Sequence, residues 1–313
     1  MHIPDGWLDL VVILITWSIT LIVLSFAISR ITKDLEKTSN IGAIASVIFV
    51  AQMFNFPIAG GTTGHLLGGA LAVYVLGFPG AIITMFSVLF VQAFVFADGG
   101  IIALGANMFN MGIATTTTAY IIKKVKNREN VSNIEYYVRI YLAAFFSVVI
   151  ASFFATLELV FSNKTTLSVG LPLVLGYHIL IGLIEGAITV GIIYYLKVSE
   201  FPFDQNITKE KISFLSSLKS TNKPLFGLGV LILLLSVLSL FSFTNPDGLE
   251  SASQQLFPSI SGYYFELGIA NGYDFLGLGS VVGTILSAFF GILIILSFYF
   301  IPASFIQKRE KVI

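Results

Sequence analysis

The stretch LVVILITWSITLIVLSFAIS, residues 10–29, decides the fold class, because it is uncharged and long enough to cross a bilayer. About 20 apolar residues in a helix span the hydrocarbon core of a membrane. The whole chain has the same character, since 56% of its 313 residues are hydrophobic and 11% are charged. Soluble domains carry about 25% charged residues. The sequence therefore predicts an all-α integral membrane protein.

Apolar runs of this kind recur along the chain and predict a polytopic bundle of about nine transmembrane helices. The predicted spans are 8–29, 41–57, 64–79, 80–97, 101–122, 138–161, 171–196, 225–243 and 278–302. The runs are continuous, whereas a membrane strand alternates apolar and polar residues, so helices are favoured over a barrel. The third and fourth spans are separated only by the turn-forming string Gly77-Phe-Pro-Gly80, which leaves their boundary the least defined.

The basic residues indicate how the helices are oriented. If the N-terminus is external, every Lys and Arg except Lys164 falls on one side of the membrane. Cytoplasmic loops carry such an excess of basic residues, and an even number of spans would destroy the segregation. We expect a protein of the prokaryotic cell membrane with an external N-terminus. Residues 1–7 have no basic residue, so no signal peptide is predicted and Met1 is expected to be retained.

Composition also excludes several kinds of site. The chain has no cysteine, so a bound metal must be held by nitrogen or oxygen ligands. It has no GxxxxGK[ST] phosphate-binding loop, so ATP hydrolysis would need a partner protein. The formal net charge is zero, which gives no indication of nucleic-acid binding.

One of the three histidines follows directly on the initiator methionine. The Met1 amine, the His2 amide and the His2 imidazole can chelate one ion in a planar arrangement, which suits Ni²⁺ and Cu²⁺. His65, in the glycine-rich string GGTTGHLLGG at 60–69, is the natural fourth nitrogen. The alternatives are a solvated terminal histidine for His2 and a hydrogen-bonded core histidine for His65.

The third histidine lies in a predicted span together with a carboxylate. His178 and Glu185 are seven residues apart on one helix face, about 10.5 Å in a helix. That separation is too large for both to bind one ion. Ionisable residues within a membrane are candidates for function, and hydrogen-bonded packing between helices is the alternative for this pair.

Four separated motifs resemble the CbiM/NikM substrate-binding subunits of energy-coupling-factor transporters for cobalt and nickel. They are MHIPDG at 1–6, GGTTGHLLGGALAVYVLGFPGA at 60–81, VQAFVFADGGIIALGANMFNMG at 91–112 and HILIGLIEGAIT at 178–189. The resemblance implies that the transported Ni²⁺ or Co²⁺ is held by Met1, His2 and His65. It also implies that the segment with Asn107 and Asn110 lies near the ion.

Two aspartates are candidates for balancing the charge of that ion from beyond its ligands. They are Asp5, in the first motif, and Asp98, in the third. Both can also be read as ordinary turn residues.

The string NPDGLE at 245–250 resembles the small CbiN/NikN component, which predicts a fusion of two proteins. The predicted domains are a metal-binding membrane domain of seven helices at 1–197, a cytoplasmic linker at 198–224 and a two-helix PDGLE domain at 225–313. The resemblance implies a transmembrane coupling subunit and cytoplasmic ATPases as partners, and no organic cofactor is expected. Because no predicted ligand lies in 225–313, we expect that part to affect transport more than ion binding.

Two other functions fit the composition less well. A secondary transporter or channel for a divalent ion would show polar relays repeated along its spans. A membrane metalloenzyme would show HExxH or another grouping of histidines and carboxylates with ligand spacing in its spans, and the predicted spans have none. A planar nitrogen chelate favours nickel, but the motifs occur in both the nickel and the cobalt branch, so the choice of ion stays open.

Overall fold

The computed structural model describes residues 1–31, 35–125, 132–201, 223–266, 269–279 and 281–310. The first half contains helices α1 (Leu10–Ile31), α2 (Leu35–Gln52), α3 (Gly69–Val95), α4 (Leu104–Asn107) and α5 (Thr115–Lys124), with a two-stranded hairpin of β1 (Phe56–Ile58) and β2 (Thr62–Gly64). The second half contains α6 (Asn133–Phe161), α7 (Leu167–Val198), α8 (Lys223–Ser239), α9 (Gly248–Leu256) and α10 (Val282–Glu310), with 3₁₀ turns at Asn271–Tyr273 and Phe275–Gly277.

The helical membrane architecture is confirmed. Among the described residues, five helices are long and apolar enough to cross a membrane, namely α1, α3, α6, α7 and the Val282–Tyr299 part of α10. Two shorter apolar helices, Asn40–Gln52 and Phe226–Ser239, coincide with other predicted spans. The predicted span 101–122 matches α4, a π-helix at Met108–Ala114 and α5, which follow one another without a gap. The count of nine and the external N-terminus stay predictions.

Helix α3 takes the place of two predicted spans, and it is broken where their boundary was predicted. Gly77 has φ 71° and ψ 176°, far from helical values, and Pro79 cannot donate a helical hydrogen bond. A straight helix of 27 residues would hold its ends about 40 Å apart. The residues just outside those ends, His65 and Asp98, nevertheless both contact His2. The two arms of α3 are therefore bent sharply at Gly77, so that both ends of the helix lie near His2.

The C-terminal part of the chain, residues 223–310, packs directly on the N-terminal part. Helix α8 contacts α2, α9 contacts α7, and α10 contacts α2 and α3. The backbone of Tyr263 exchanges two 3.0 Å hydrogen bonds with Asp5, and Trp7 packs edge-on against Phe257. The predicted linker 198–224 lies mostly outside the described residues, and the predicted domain boundaries stay a prediction.

Candidate metal centre

The N-terminal segment is buried in the bundle. Met1, His2 and Ile3 are 3%, 7% and 0% exposed, so His2 is not a solvated terminal residue. A backbone hydrogen bond fixes the segment, because the Gly100 amide donates to the Ile3 carbonyl at 2.9 Å. A Cβ atom at Gly100 would lie 2.1 Å from Asp5 Oδ1, so only glycine allows this approach.

Two polar side chains complete the attachment of this segment. Asn107 accepts a hydrogen bond from the Ile3 amide at 2.7 Å and donates to the Ile3 carbonyl at 2.9 Å. Asp5 accepts from the amides of Ile101 and Ala103 at 3.1 and 2.8 Å. Asp5 and Asn107 therefore hold the N-terminal segment in place by hydrogen bonds.

Asn107→Ala is expected to weaken Ni²⁺ binding by about 10- to 100-fold, because loss of an outer residue that positions a ligand has an effect of this size. Asn110→Ala is the matched control. Asn110 is also buried, but its amide donates to Glu158 Oε2 at 2.7 Å. Calorimetric titration of both variants in detergent measures the difference. Equal affinities of the two variants would contradict a positioning role for Asn107.

The Met1 amine and the His65 imidazole meet at the centre of this region, with Met1 N 2.5 Å from His65 Nε2. His65 Nδ1 lies 3.0 Å from the Leu66 carbonyl, which fixes the tautomer with the proton on Nδ1 and the lone pair on Nε2. The rings of His65 and His2 are stacked, with centroids 5.2 Å apart and planes 15° apart. Burial, reinforced by the Met1 ammonium group, lowers the pKa of His65, so its imidazole stays neutral and able to accept.

The His2 imidazole contacts two polar side chains, and a third polar side chain joins those two. His2 Nδ1 lies 3.0 Å from Asp98 Oδ1, and His2 Nε2 lies 3.3 Å from Gln92 Oε1. Tyr273 joins Asp98 to Gln92, since its hydroxyl donates to Asp98 Oδ2 at 2.5 Å and accepts from Gln92 Nε2 at 3.2 Å. Both nitrogens of His2 therefore face oxygen atoms of neighbouring side chains. Chelation through Nδ1 requires the ring to turn away from Asp98.

Two carboxylates lie beside the predicted nitrogen ligands, one on each side. Asp247 Oδ2 is 2.5 Å from the Met1 amine and 3.8 Å from His65 Nε2, and Asp98 faces His2. Burial alone would raise the pKa of Asp247, but the Met1 ammonium and His65 hold it well below its usual range. His2 lowers the pKa of Asp98 against the same effect of burial. Both carboxylates are therefore ionised next to the site.

The remaining predicted residues lie further out. Glu185 accepts from the amides of Leu67 and Gly68 at 2.8 and 3.0 Å, which supports the loop that carries His65. His178 is bonded to the Val174 carbonyl of its own helix at 2.7 Å. Glu185 thus hydrogen-bonds to a loop outside its own helix, whereas no described hydrogen bond of His178 or Asn110 reaches Met1, His2 or His65.

The sequence analysis missed Gln92, Tyr273 and Asp247. Gln92 lies in the third family motif and Asp247 is the aspartate of NPDGLE, so the sequence carries a signal for both. Tyr273 had none. Among the described residues, no group of three or more His, Asp or Glu side chains is arranged to hold a metal. The predicted ligand set includes the Met1 amine, which is a backbone group and not one of these side chains.

Comparison with known proteins relates the chain to metal transporters. A family profile described as the cobalt uptake substrate-specific transmembrane region, CbiM, matches residues 2–201. An Archaeoglobus fulgidus protein named as a fused nickel transport protein, NikMN, is 33% identical, and the match covers 96% of this chain and 97% of that protein. A Lactiplantibacillus plantarum protein named as a fused nickel transport protein, LarMN, is 26% identical over 95% of both chains. A crystal structure of a transition metal transporter matches with a TM-score of 0.57 and 29% identity, covering 70% of this chain and 99% of that one.

Proposed function

The chain belongs to the CbiM family of cobalt uptake transmembrane regions, and we propose that it is the ion-binding subunit of an ATP-driven importer for nickel or cobalt. Its relatives are named as metal transport proteins, and those matched over nearly the full length are named as fused nickel transport proteins. The proposal assigns capture of the ion to this chain and energy supply to partner subunits.

One observation carries the proposal: the Met1 amine lies 2.5 Å from His65 Nε2 in a buried site with the His2 ring stacked alongside. Two nitrogens bound side by side to one ion at about 2.0 Å lie about 2.8 Å apart. The two atoms therefore need to move only a few tenths of an ångström to become adjacent ligands. The His2 amide and imidazole would provide the other two nitrogens of the square.

The proposed ligand set is Met1, His2 and His65. An amine, a deprotonated amide and two imidazoles favour ions that accept tetragonal nitrogen fields, so nickel is the preferred cargo and cobalt the alternative. The ion would enter from the external side of the cell membrane, where the distribution of basic residues puts the N-terminus. The chain would act without enzymatic activity of its own.

The proposed partners are those of an energy-coupling-factor importer: a transmembrane coupling subunit and cytoplasmic ATPases. The sequence has no phosphate-binding loop, which is consistent with ATP hydrolysis elsewhere in the complex. Uptake of labelled Ni²⁺ or Co²⁺ into proteoliposomes tests this. Uptake is expected only when the chain, the coupling subunit, active ATPases and ATP are all present.

The controls in the uptake experiment separate the alternatives. An ATPase variant that binds but does not hydrolyse ATP should reduce uptake to background. Uptake by the chain alone, driven by the ion gradient, would contradict the proposal and identify a secondary transporter or channel. Parallel titrations with Ni²⁺ and Co²⁺ decide which ion is preferred.

A further inference from the structure

The NPDGLE segment at 245–250 connects the C-terminal part of the chain to the site. It docks beside β2, where the Thr63 amide donates to the Pro246 carbonyl at 3.0 Å and the Thr63 hydroxyl donates to the Asn245 carbonyl at 2.9 Å. This docking directs the next side chain, Asp247, toward the N-terminus. A residue about 180 positions away from the hairpin is thereby fixed at the predicted ion site.

The two oxygens of Asp247 have different partners. Oδ1 accepts from the amides of Leu249 and Glu250 at 2.7 and 2.9 Å and caps the start of α9. Oδ2 faces the Met1 amine at 2.5 Å. Because the helix cap fixes the carboxylate plane, Oδ2 is held in place by groups that are not part of the ion site.

The geometry allows Asp247 to keep its contact when an ion is bound. Met1 N lies 2.5 Å from both His65 Nε2 and Asp247 Oδ2, and those two atoms lie 3.8 Å apart. These distances define an angle of about 100° at the nitrogen, wide enough for the two partners to face different substituent positions of the amine. A primary amine that binds a metal keeps two N–H groups. An ion on the His65 side therefore leaves one N–H directed at Asp247.

The negative charge of Asp247 faces a positive charge both in the ion-free protein and when an ion is bound. In the ion-free protein it pairs with the Met1 ammonium group. When a divalent ion replaces the ammonium proton, the same carboxylate lies beside the new positive charge, where an unpaired charge would be costly in a buried site.

We propose that Asp247, contributed by the C-terminal part, positions the Met1 amine for ion binding and supplies a counter-charge without itself ligating the ion. This inference rests on the proposed function. It assigns the NPDGLE segment a direct role in binding, whereas the sequence predicts that residues 225–313 affect transport more than ion binding.

Asp247→Asn in the full-length protein tests the inference. Asparagine is as good an N-cap as aspartate, so α9 is kept. An asparagine side chain carries no charge and has only one acceptor oxygen, so it cannot cap the helix and also accept from the Met1 amine. Ni²⁺ affinity in detergent is expected to fall by about 10- to 100-fold. The visible absorption band of the Ni²⁺ complex is expected to keep its position, because the four nitrogen ligands are unchanged.

Two further variants keep the test independent of folding. Asp247→Ser also caps a helix, is too short to reach the amine, and is expected to show the same loss of affinity. Glu250→Gln is the matched control and should bind as the wild type does. Glu250 completes the same capping box by accepting from the Asp247 amide at 3.2 Å, and no described hydrogen bond joins it to Met1.

Three results would overturn the inference. Unchanged affinity in both Asp247 variants would show that the carboxylate has no role in binding. Tighter binding would show that it blocks the site. Weaker binding with a shifted absorption band would make Asp247 a ligand. Failure of the wild-type protein to bind Ni²⁺ or Co²⁺ would instead refute the proposed function, so the two failures are distinguishable.

Discussion

Adding two residues, Gly-Ser, ahead of Met1 is expected to lower Ni²⁺ affinity by more than about 1,000-fold, a loss of about 4 kcal/mol. The extension converts the Met1 amine into a peptide amide, which lacks the basic lone pair. It also makes the histidine the fourth residue, so that the terminal amine, one amide and the imidazole can no longer form adjacent chelate rings. This is the largest effect expected from any single change to the site.

The structure adds a steric reason for the same result. The Met1 nitrogen lies 2.5 Å from both His65 Nε2 and Asp247 Oδ2, and Met1 is only 3% exposed. No space is left for two more residues without displacing the segment that Asn107 holds. Calorimetry measures the affinity, and mass spectrometry verifies the N-terminus. The same two residues appended after Ile313 are the control, and wild-type affinity in the N-terminally extended protein would rule out the amine as a ligand.

The helical architecture was predictable because apolar runs of about 20 residues leave few alternatives in a membrane. The position of the break in α3 was also visible, since the string Gly77-Phe-Pro-Gly80 contains the residues that tolerate a non-helical backbone. The number of spans was less predictable. Length and hydropathy do not reveal whether a short apolar helix such as Asn40–Gln52 crosses the membrane.

Part of the candidate site was predictable from local chemistry. The Met1–His2 chelate follows from two adjacent residues, and the glycines around His65 suggested close backbone approach. The structure does bring Met1, His2 and His65 together, although their role as ligands stays a prediction. The partners of these groups were less visible, because Asp247 and Tyr273 reach the site only through tertiary packing. No periodicity relates position 2 or 65 to positions 247 and 273.

Asp247 also shows why a motif can be recognised and still be misjudged. The string NPDGLE resembles a separate component, and nothing in its spacing relates its aspartate to the predicted ion ligands. In the structure, Asp247 is the N-cap of α9, which begins at the glycine that follows it. Its carboxylate is shared between helix capping and the Met1 amine. One residue thus serves local structure and the site together, and sequence spacing reveals only the first role.

His65→Ala is expected to weaken Ni²⁺ binding by about 100-fold or more and to shift the visible absorption band. The substitution removes one of four equatorial nitrogens and leaves the three-nitrogen chelate of Met1 and His2. A square-planar Ni²⁺ ion with four nitrogens is diamagnetic and yellow, whereas a six-coordinate oxygen-rich site is paramagnetic and pale. The loss should be clear at neutral pH, because burial and the Met1 ammonium lower the pKa of His65 and leave no proton to compete for Nε2.

His178→Ala is the matched control for this substitution. Both histidines are buried, at 5% and 1% exposure, so each substitution leaves a cavity of similar size. His178 bonds the Val174 carbonyl of its own helix, whereas His65 Nε2 faces the Met1 amine. We therefore expect His178→Ala to keep the colour and most of the affinity. A paramagnetic Ni²⁺ complex whose affinity and spectrum are indifferent to His65→Ala would refute the arrangement of Met1, His2 and His65, because that arrangement makes His65 Nε2, which lies beside the Met1 amine, one of the four nitrogens around the ion.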